Sequence, residues 1–188
     1  PNLKFVQFLD GDCQLIEGWI PLGVEFLKER SEVALVAGDL HEMEAKETLY
    51  NNLCELEWRK DPGEIKACGG NFLAKSEPFH KLGGFKANII AAEEEEFSSR
   101  LRKEGWKVYH LDRPMAIHNA SMHHISEWFH RSVRTGYAYA QSLYENIEPH
   151  TKEYYSTLFW GLLFPIGVLL CWYVYGSHAL DLLFLYPL

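Results

Sequence analysis

The stretch from Gly83 to His118, GGFKANIIAAEEEEFSSRLRKEGWKVYHLDRPMAIH, decides how this chain is read. Gly83-Gly84 marks a turn, followed by a short loop. Glu93-Glu94-Glu95-Glu96 then opens a helix that sets Phe97 and Leu101 on one face, and Gly105 stops it. Trp106–His110 has the composition of a strand, and Met115–Ile117 reads as a brief further strand that presents His118. Glutamates in a first turn suit the positive end of the helix dipole, and Glu96 with Arg100 is a favourable i,i+4 pair. A carboxylate at a helix N-terminus beside a sheet also suits a general base. Spacing alone leaves both readings open.

Upstream, Lys4–Leu9, KFVQFL, is an apolar run with strand propensity that ends in Asp10-Gly11-Asp12. A buried strand that delivers polar groups at its C-terminal end is where open α/β sheets bind ligands. Two carboxylates set two apart around a glycine can turn toward one hard cation such as Mg²⁺. They equally suit an Asx-type turn. Trp19–Glu29 has helical spacing with Pro21 in its first turn. Val33–Ala37 is the next strand, ended by Gly38-Asp39. The charged segment His41–Trp58 is helix-compatible, with His41, Glu42 and Glu44 on a solvated face. Ile65–Ser76 is a strand interrupted by Gly69-Gly70-Asn71, where paired glycines signal a bulge or a close approach, and Ser76 opens a short helix.

The 188 residues are 47% hydrophobic, enough for one domain with a core, and the formal charge of −8 argues against nucleic acid as a partner. An acidic protein that handles a phosphorylated small molecule needs a cation to bridge like charges. Cys13, Cys54, Cys68 and Cys171 form no CxxC pair, which points to reduced thiols facing the cytoplasm. The chain opens on Pro1 with a core strand close behind, so no signal peptide is expected and a piece of a longer protein is.

His123–Ala140 is helix-compatible and carries Trp128, Arg131 and Arg134. The two arginines share a face and can meet a pyrophosphate, neighbouring glutamates or lipid headgroups. Between Glu153 and Asp181 there is no Asp, Glu, Lys or Arg, and aromatic residues flank an apolar run longer than the roughly 20 residues that cross a bilayer. A spanning helix is expected there, with an interfacial segment as the alternative, and Leu182–Leu188 resumes the apolar pattern as the start of a second span.

Together these pieces resemble the C-terminal half of a family 2 glycosyltransferase of the GT-A fold, over Lys4 to about Tyr175. Asp10-Gly11-Asp12 resembles the family's DxD motif, Gly69-Gly70-Asn71 its GGN strand, and Gly83-Gly84-Phe85 through Trp106 its "GGF…ED…RLr..Gw" block. The resemblance implies an α/β fold, a mixed sheet flanked by helices over residues 1–150, with a hydrophobic membrane-associated helix over 151–188. It implies Glu94 as general base, with Glu93 and Glu95 as competitors for the register. Glu stands where Asp is commoner in that block. Asp10, Asp12 and His118 become ligands of Mg²⁺ or Mn²⁺, and Gly70, Asn71, Glu93, Trp128, Arg131 and Arg134 become substrate-binding residues.

The implied partners are a nucleotide-sugar donor, a hydroxyl acceptor linked to lipid or polysaccharide, and a membrane. The catalytic region would face the cytoplasm, and the piece alone would be inactive because the family's nucleotide-binding units are missing. An open sheet edge would allow a homo-oligomer. Two other readings stand beside this one. The first is a haloacid-dehalogenase-like phosphatase using Asp10 and Asp12, in which Asp10 would converge with Asp39. The second is a non-catalytic membrane-tethered module.

Overall fold

Two segments distant in sequence form the middle of the sheet. The computed structural model describes residues 3–144 and 151–185. In chain order its first elements are β1 (Phe5–Phe8), β2 (Cys13–Leu15), α1 (Trp19–Glu29), β3 (Val33–Glu42), α2 (Leu49–Trp58) and β4 (Gly63–Ile65). Then come β5 (Phe72–Lys75), α3 (Ser76–Lys81), α4 (Glu93–Lys103), β6 (Lys107–His118) and α5 (Ile125–Tyr144). Among the described residues the strands make one mixed sheet in the order β1-β5-β3-β6-β2, with β4 also on β6. Only β3 and β6 run parallel; the other pairs are antiparallel.

Val33–Ala37 is buried at every position, as befits a central strand covered on both faces. Trp19 and Leu27 of α1, Phe72 and Leu73 of β5, Phe97 and Leu101 of α4, and Val108 of β6 complete the core. Phe79, Phe85 and Phe97 pack edge to face around the start of α4, with Phe8 edge-on to Phe85 and tilted against Phe79.

Three expectations change. First, β3 does not stop at Gly38. A Cβ there would lie 2.5 Å from the Arg113 carbonyl oxygen and 2.7 Å from the Trp19 ring, so the glycine admits β6 and α1 rather than ending the strand. Second, the helix read over His41–Trp58 is only Leu49–Trp58, because Thr48 caps it by accepting a hydrogen bond from Asn51 N at 3.0 Å. Third, the two short strands ending at His110 and Ile117 are one strand, β6. Its register against β3 shifts around the Asp39–Pro114 pairing, which accommodates a residue with no backbone N–H.

Glu96 explains how α4 is fixed. Its buried carboxylate takes Arg100 Nη2 at 2.7 Å and Lys86 Nζ at 2.9 Å. Arg100 also donates to the carbonyl oxygens of Leu82 and Gly84, each at 2.6 Å, which ties the turn after α3 to the helix. Burial works against the charge on Glu96, yet the bonds from Arg100 and Lys86 hold its carboxyl below the usual range.

The chain divides into two compact units, Pro1–Arg134 and Thr135–Leu188. The boundary expected between 150 and 151 falls at residues 145–150, outside the described ones. In the second unit α6 (Thr151–Leu158), a π turn (Phe159–Leu163) and α7 (Phe164–Tyr175) run on as one helix. The π turn comes just before Pro165, whose missing N–H breaks the ordinary i→i−4 ladder. Among the described residues Lys152–Tyr175 is the one helix long and apolar enough to cross a membrane, about 36 Å at 1.5 Å per residue. Leu162, Leu169, Leu170 and Trp172 along it are exposed. Gly176–Leu185 follows as a 3₁₀ helix, and the end of the expected second span, 186–188, lies outside the described residues.

Candidate active site

Three strands converge on His118. It stands opposite Cys13 in the β2–β6 pairing and opposite Glu42 in the β3–β6 pairing, so the sheet holds it from both sides. Asn119 N donates to the Asp12 carbonyl at 3.0 Å, and Met43 N donates to the His118 carbonyl at 2.8 Å, which closes the loops around it. Asp12 Oδ1 then lies 3.2 Å from His118 Nε2, and the Trp58 ring stands edge-on to the imidazole at 4.5 Å.

Two donors at about 2.1 Å from one octahedral cation, at right angles, lie about 3.0 Å apart. The Asp12–His118 separation therefore suits adjacent positions around such an ion. A carboxylate oxygen with an imidazole nitrogen suits Mn²⁺ better than Mg²⁺, which favours oxygen alone. Cys13 Sγ sits 3.9 Å from the same Asp12 oxygen. Burial first, then the charges of Asp10 and Asp12, push the Cys13 thiol up to about 12 in the metal-free protein.

Asp10 is engaged elsewhere. Asn71 Nδ2 donates to Asp10 Oδ2 and the Asp10 N–H donates to Asn71 Oδ1, both at 2.9 Å. The buried Asn71 thus locks the end of β1 to the loop before β5. A Cβ on Gly70 would lie 2.5 Å from Asp10 Oδ1, so this position is a close approach rather than a simple bend. Gly70→Ala is expected to swing the Asp10 side chain out of place with little change in thermal midpoint, because a flexible terminus yields more readily than backbone. A crystal structure of the variant, with Asp10 found where it was or displaced, decides the point.

Asp10, Gly70 and Asn71 wall a cavity of about 260 Å³ together with Gly38, Trp58, Lys60, His110, His118 and Arg131. The floor is apolar at Leu40 and Met115, and charge of both signs rings it. Arg131 is paired with Glu57 and lies over the Trp128 ring at 5.4 Å, while Arg134, one turn on, is exposed. Asp39 lines a different cavity and faces His110 at 3.6 Å, while Asp10 is held by Asn71, so the two aspartates have different partners.

Glu94 stands in the first turn of α4, two residues before Glu96, and the two carboxyls go opposite ways. Burial first, then the charges of Glu93, Glu95 and Asp10, push Glu94 up to about 7, against a hydrogen bond from its own backbone N–H. The buried Cys68 thiol, itself pushed up to about 12 by burial, feels both Glu94 and the cavity-lining Lys60. Ala92, the residue that launches the helix, is held at φ +62°, a left-handed conformation that costs a non-glycine residue about 1–2 kcal/mol. Strain of this kind gathers where a side chain must be aimed.

The sequence reading passed over two residues at this site. Glu42 is buried rather than solvated, and Trp58 packs on His118. Carrying the strand past Gly38 puts Leu40 and Glu42 on one face, which is the signal that would have found Glu42.

No protein family matches the chain, and no curated protein matches it in sequence. Among solved structures it is similar to GalNAc-T7 with UDP, GalNAc and Mn²⁺, at 16% identity and a TM-score of 0.48, covering 62% of this chain and 27% of that one. It is similar to S. aureus TarS 1-349 in complex with UDP at 11% identity and a TM-score of 0.47, covering 63% and 36%. It is also similar to A197 from STIV at 21% identity and a TM-score of 0.38, covering 61% and 57%. The chain spans no more than 36% of the GalNAc-T7 and TarS structures.

Proposed function

We propose that this chain is the cation- and acceptor-side half of a GT-A glycosyltransferase. The enzyme moves a sugar, with inversion, from a nucleoside diphosphate donor to an acceptor hydroxyl in cell-envelope, polysaccharide or glycolipid synthesis. The observation that carries the reading is Glu94, a carboxylate on a strained helix start whose pKa of about 7 matches a base working near neutral pH.

Glu94 takes the proton from the acceptor hydroxyl as that oxygen bonds to the anomeric carbon. The bond from that carbon to the diphosphate oxygen breaks, and the diphosphate leaves with the electron pair. Asp12 and His118 would hold a divalent cation, which supplies charge neutralisation on the departing diphosphate when bound. Asp10, Gly70 and Asn71 shape the wall of the cavity, and Trp58 gives it an aromatic side on which a sugar ring can pack. Glu93, Trp128, Arg131 and Arg134 belong to the same reading as substrate-contacting positions. The apolar helix 152–175 would keep the site near a lipid-linked or surface acceptor.

The test uses the complete protein with a panel of nucleoside diphosphate sugars. Transfer is expected to stop on chelation and return with Mn²⁺, with the product's anomeric configuration opposite to the donor's by NMR; residues 1–188 alone are expected to be inactive. A product of retained configuration overturns the base role of Glu94. Phosphate release from a simple phosphomonoester, without transfer, favours the phosphatase instead.

A further inference from the structure

We infer that Glu42 is a positioning residue for the cation site: it fixes the tautomer and ring orientation of His118 so that Nε2 points at the ion shared with Asp12. The inference rests on the proposed ligand role of Asp12 and His118.

The Glu42 side chain is fully buried, which for a carboxylate demands partners. Oε2 accepts from Ala120 N at 2.9 Å and Oε1 accepts from Glu44 N at 3.3 Å. Oε2 also lies 3.8 Å from His118 Nδ1. That nitrogen is buried and has no hydrogen-bond partner among the described residues. Closing the gap by about 1 Å gives the ordinary bond from a ring N–H to a carboxylate.

The two ring nitrogens then have separate tasks. With an ion bound, Nδ1 would carry the proton toward Glu42 and leave the Nε2 lone pair for the ion, whereas without one Asp12 Oδ1 at 3.2 Å is placed to accept an Nε2–H. A carboxylate behind a ligating histidine sets its tautomer and raises its basicity, and removing such a partner costs about 10–100-fold in metal affinity. The placement is fixed by the fold. Glu42 and His118 are register partners across β3 and β6, Glu55 Oε2 takes the Glu42 N–H at 2.7 Å, and Trp58 blocks rotation of the imidazole. A purely structural role, stapling the 43–44 and 119–120 loops, would be indifferent to which nitrogen of His118 carries the proton.

The experiment is a Mn²⁺ titration of the full chain as wild type, Glu42→Gln, His118→Ala and the double variant. It is joined to ¹⁵N NMR of the imidazole with a diamagnetic divalent cation, Zn²⁺, bound in place of Mn²⁺. Wild type is expected to show His118 as the Nδ1–H tautomer. Glu42→Gln is expected to weaken Mn²⁺ binding about 10–100-fold and shift the tautomer, with no further loss once His118 is already Ala.

The inference is overturned by an Nε2–H tautomer in the cation-loaded wild type, a result that needs no variant to fold. It is overturned equally by losses that multiply in the double variant. If His118→Ala leaves Mn²⁺ affinity intact, the cation reading of the site fails instead, and the wild-type tautomer still decides whether Glu42 holds the ring.

Discussion

Glu94→Gln in the complete enzyme is expected to lower turnover by roughly 10²–10⁴ with little change in donor affinity, and at the same time to raise the thermal midpoint at pH 8. The first effect follows from removing the proton acceptor while keeping its shape. The second follows from burial. The folded protein holds the Glu94 proton to about 7, above the ordinary 4.5, so protonation favours the folded state. That contribution is fully present below about 4.5 and is lost as pH rises through about 7. At pH 8 an ionised carboxylate sits where charge is disfavoured, at a cost of no more than about 3.5 kcal/mol for such a shift. Glutamine carries no charge and escapes the cost. The stabilisation should therefore appear at pH 8 and vanish near pH 4. Wild-type turnover should rise through about pH 7 as the base ionises. Calorimetry at the two pH values and a pH–rate profile check both arms. Unchanged turnover would assign the base elsewhere, with Glu93 and Glu95 next in line.

Asp12→Asn is expected to weaken Mn²⁺ binding on the order of 100-fold or more, beyond what loss of an outer partner gives. Asp10→Asn is expected to do far less, because the Asp10 carboxylate is committed to Asn71 and stands outside the Asp12–Cys13–His118 cluster. Cys13→Ser should change affinity far less than Asp12→Asn, since a hard cation prefers the oxygen and imidazole donors to sulfur. Titration by electron paramagnetic resonance separates the three. Equal losses for both aspartates would mean that the loop rearranges around the ion and that Asp10 is a ligand after all.

Much of the frame was legible because local chemistry and burial agree in it. Trp19–Glu29 and Glu93–Lys103 are helices whose apolar periodicity, first-turn residues and stops all point one way. Asp10-Gly11-Asp12 follows a strand as its composition suggests. What was not legible depends on distant partners. Gly38 and Pro114 look like strand breakers alone; they are tolerated because β3 and β6 approach closely and shift register there. Glu42, in a charged run, reads as surface until β6 is laid beside it. The different partners of Asp10 and Asp12, two residues apart in one motif, are likewise Asn71 and His118, each far along the chain.

The parallel pairing of β3 with β6 has a kinetic meaning as well. It joins residues 33–42 to residues 107–118 across a long loop, and closing such a loop costs entropy before any contact repays it. The antiparallel pairs are not hairpins either, and β2 with β6 closes a longer loop still, so Asp12, Glu42 and His118 meet only when both closures on β6 are complete. The proposed cation site thus exists only once three strands distant in sequence have come together. On the proposed reading, an ion bound there would add RT ln(1 + [ion]/Kd) to the folded state alone, so metal supply would set how much folded protein survives.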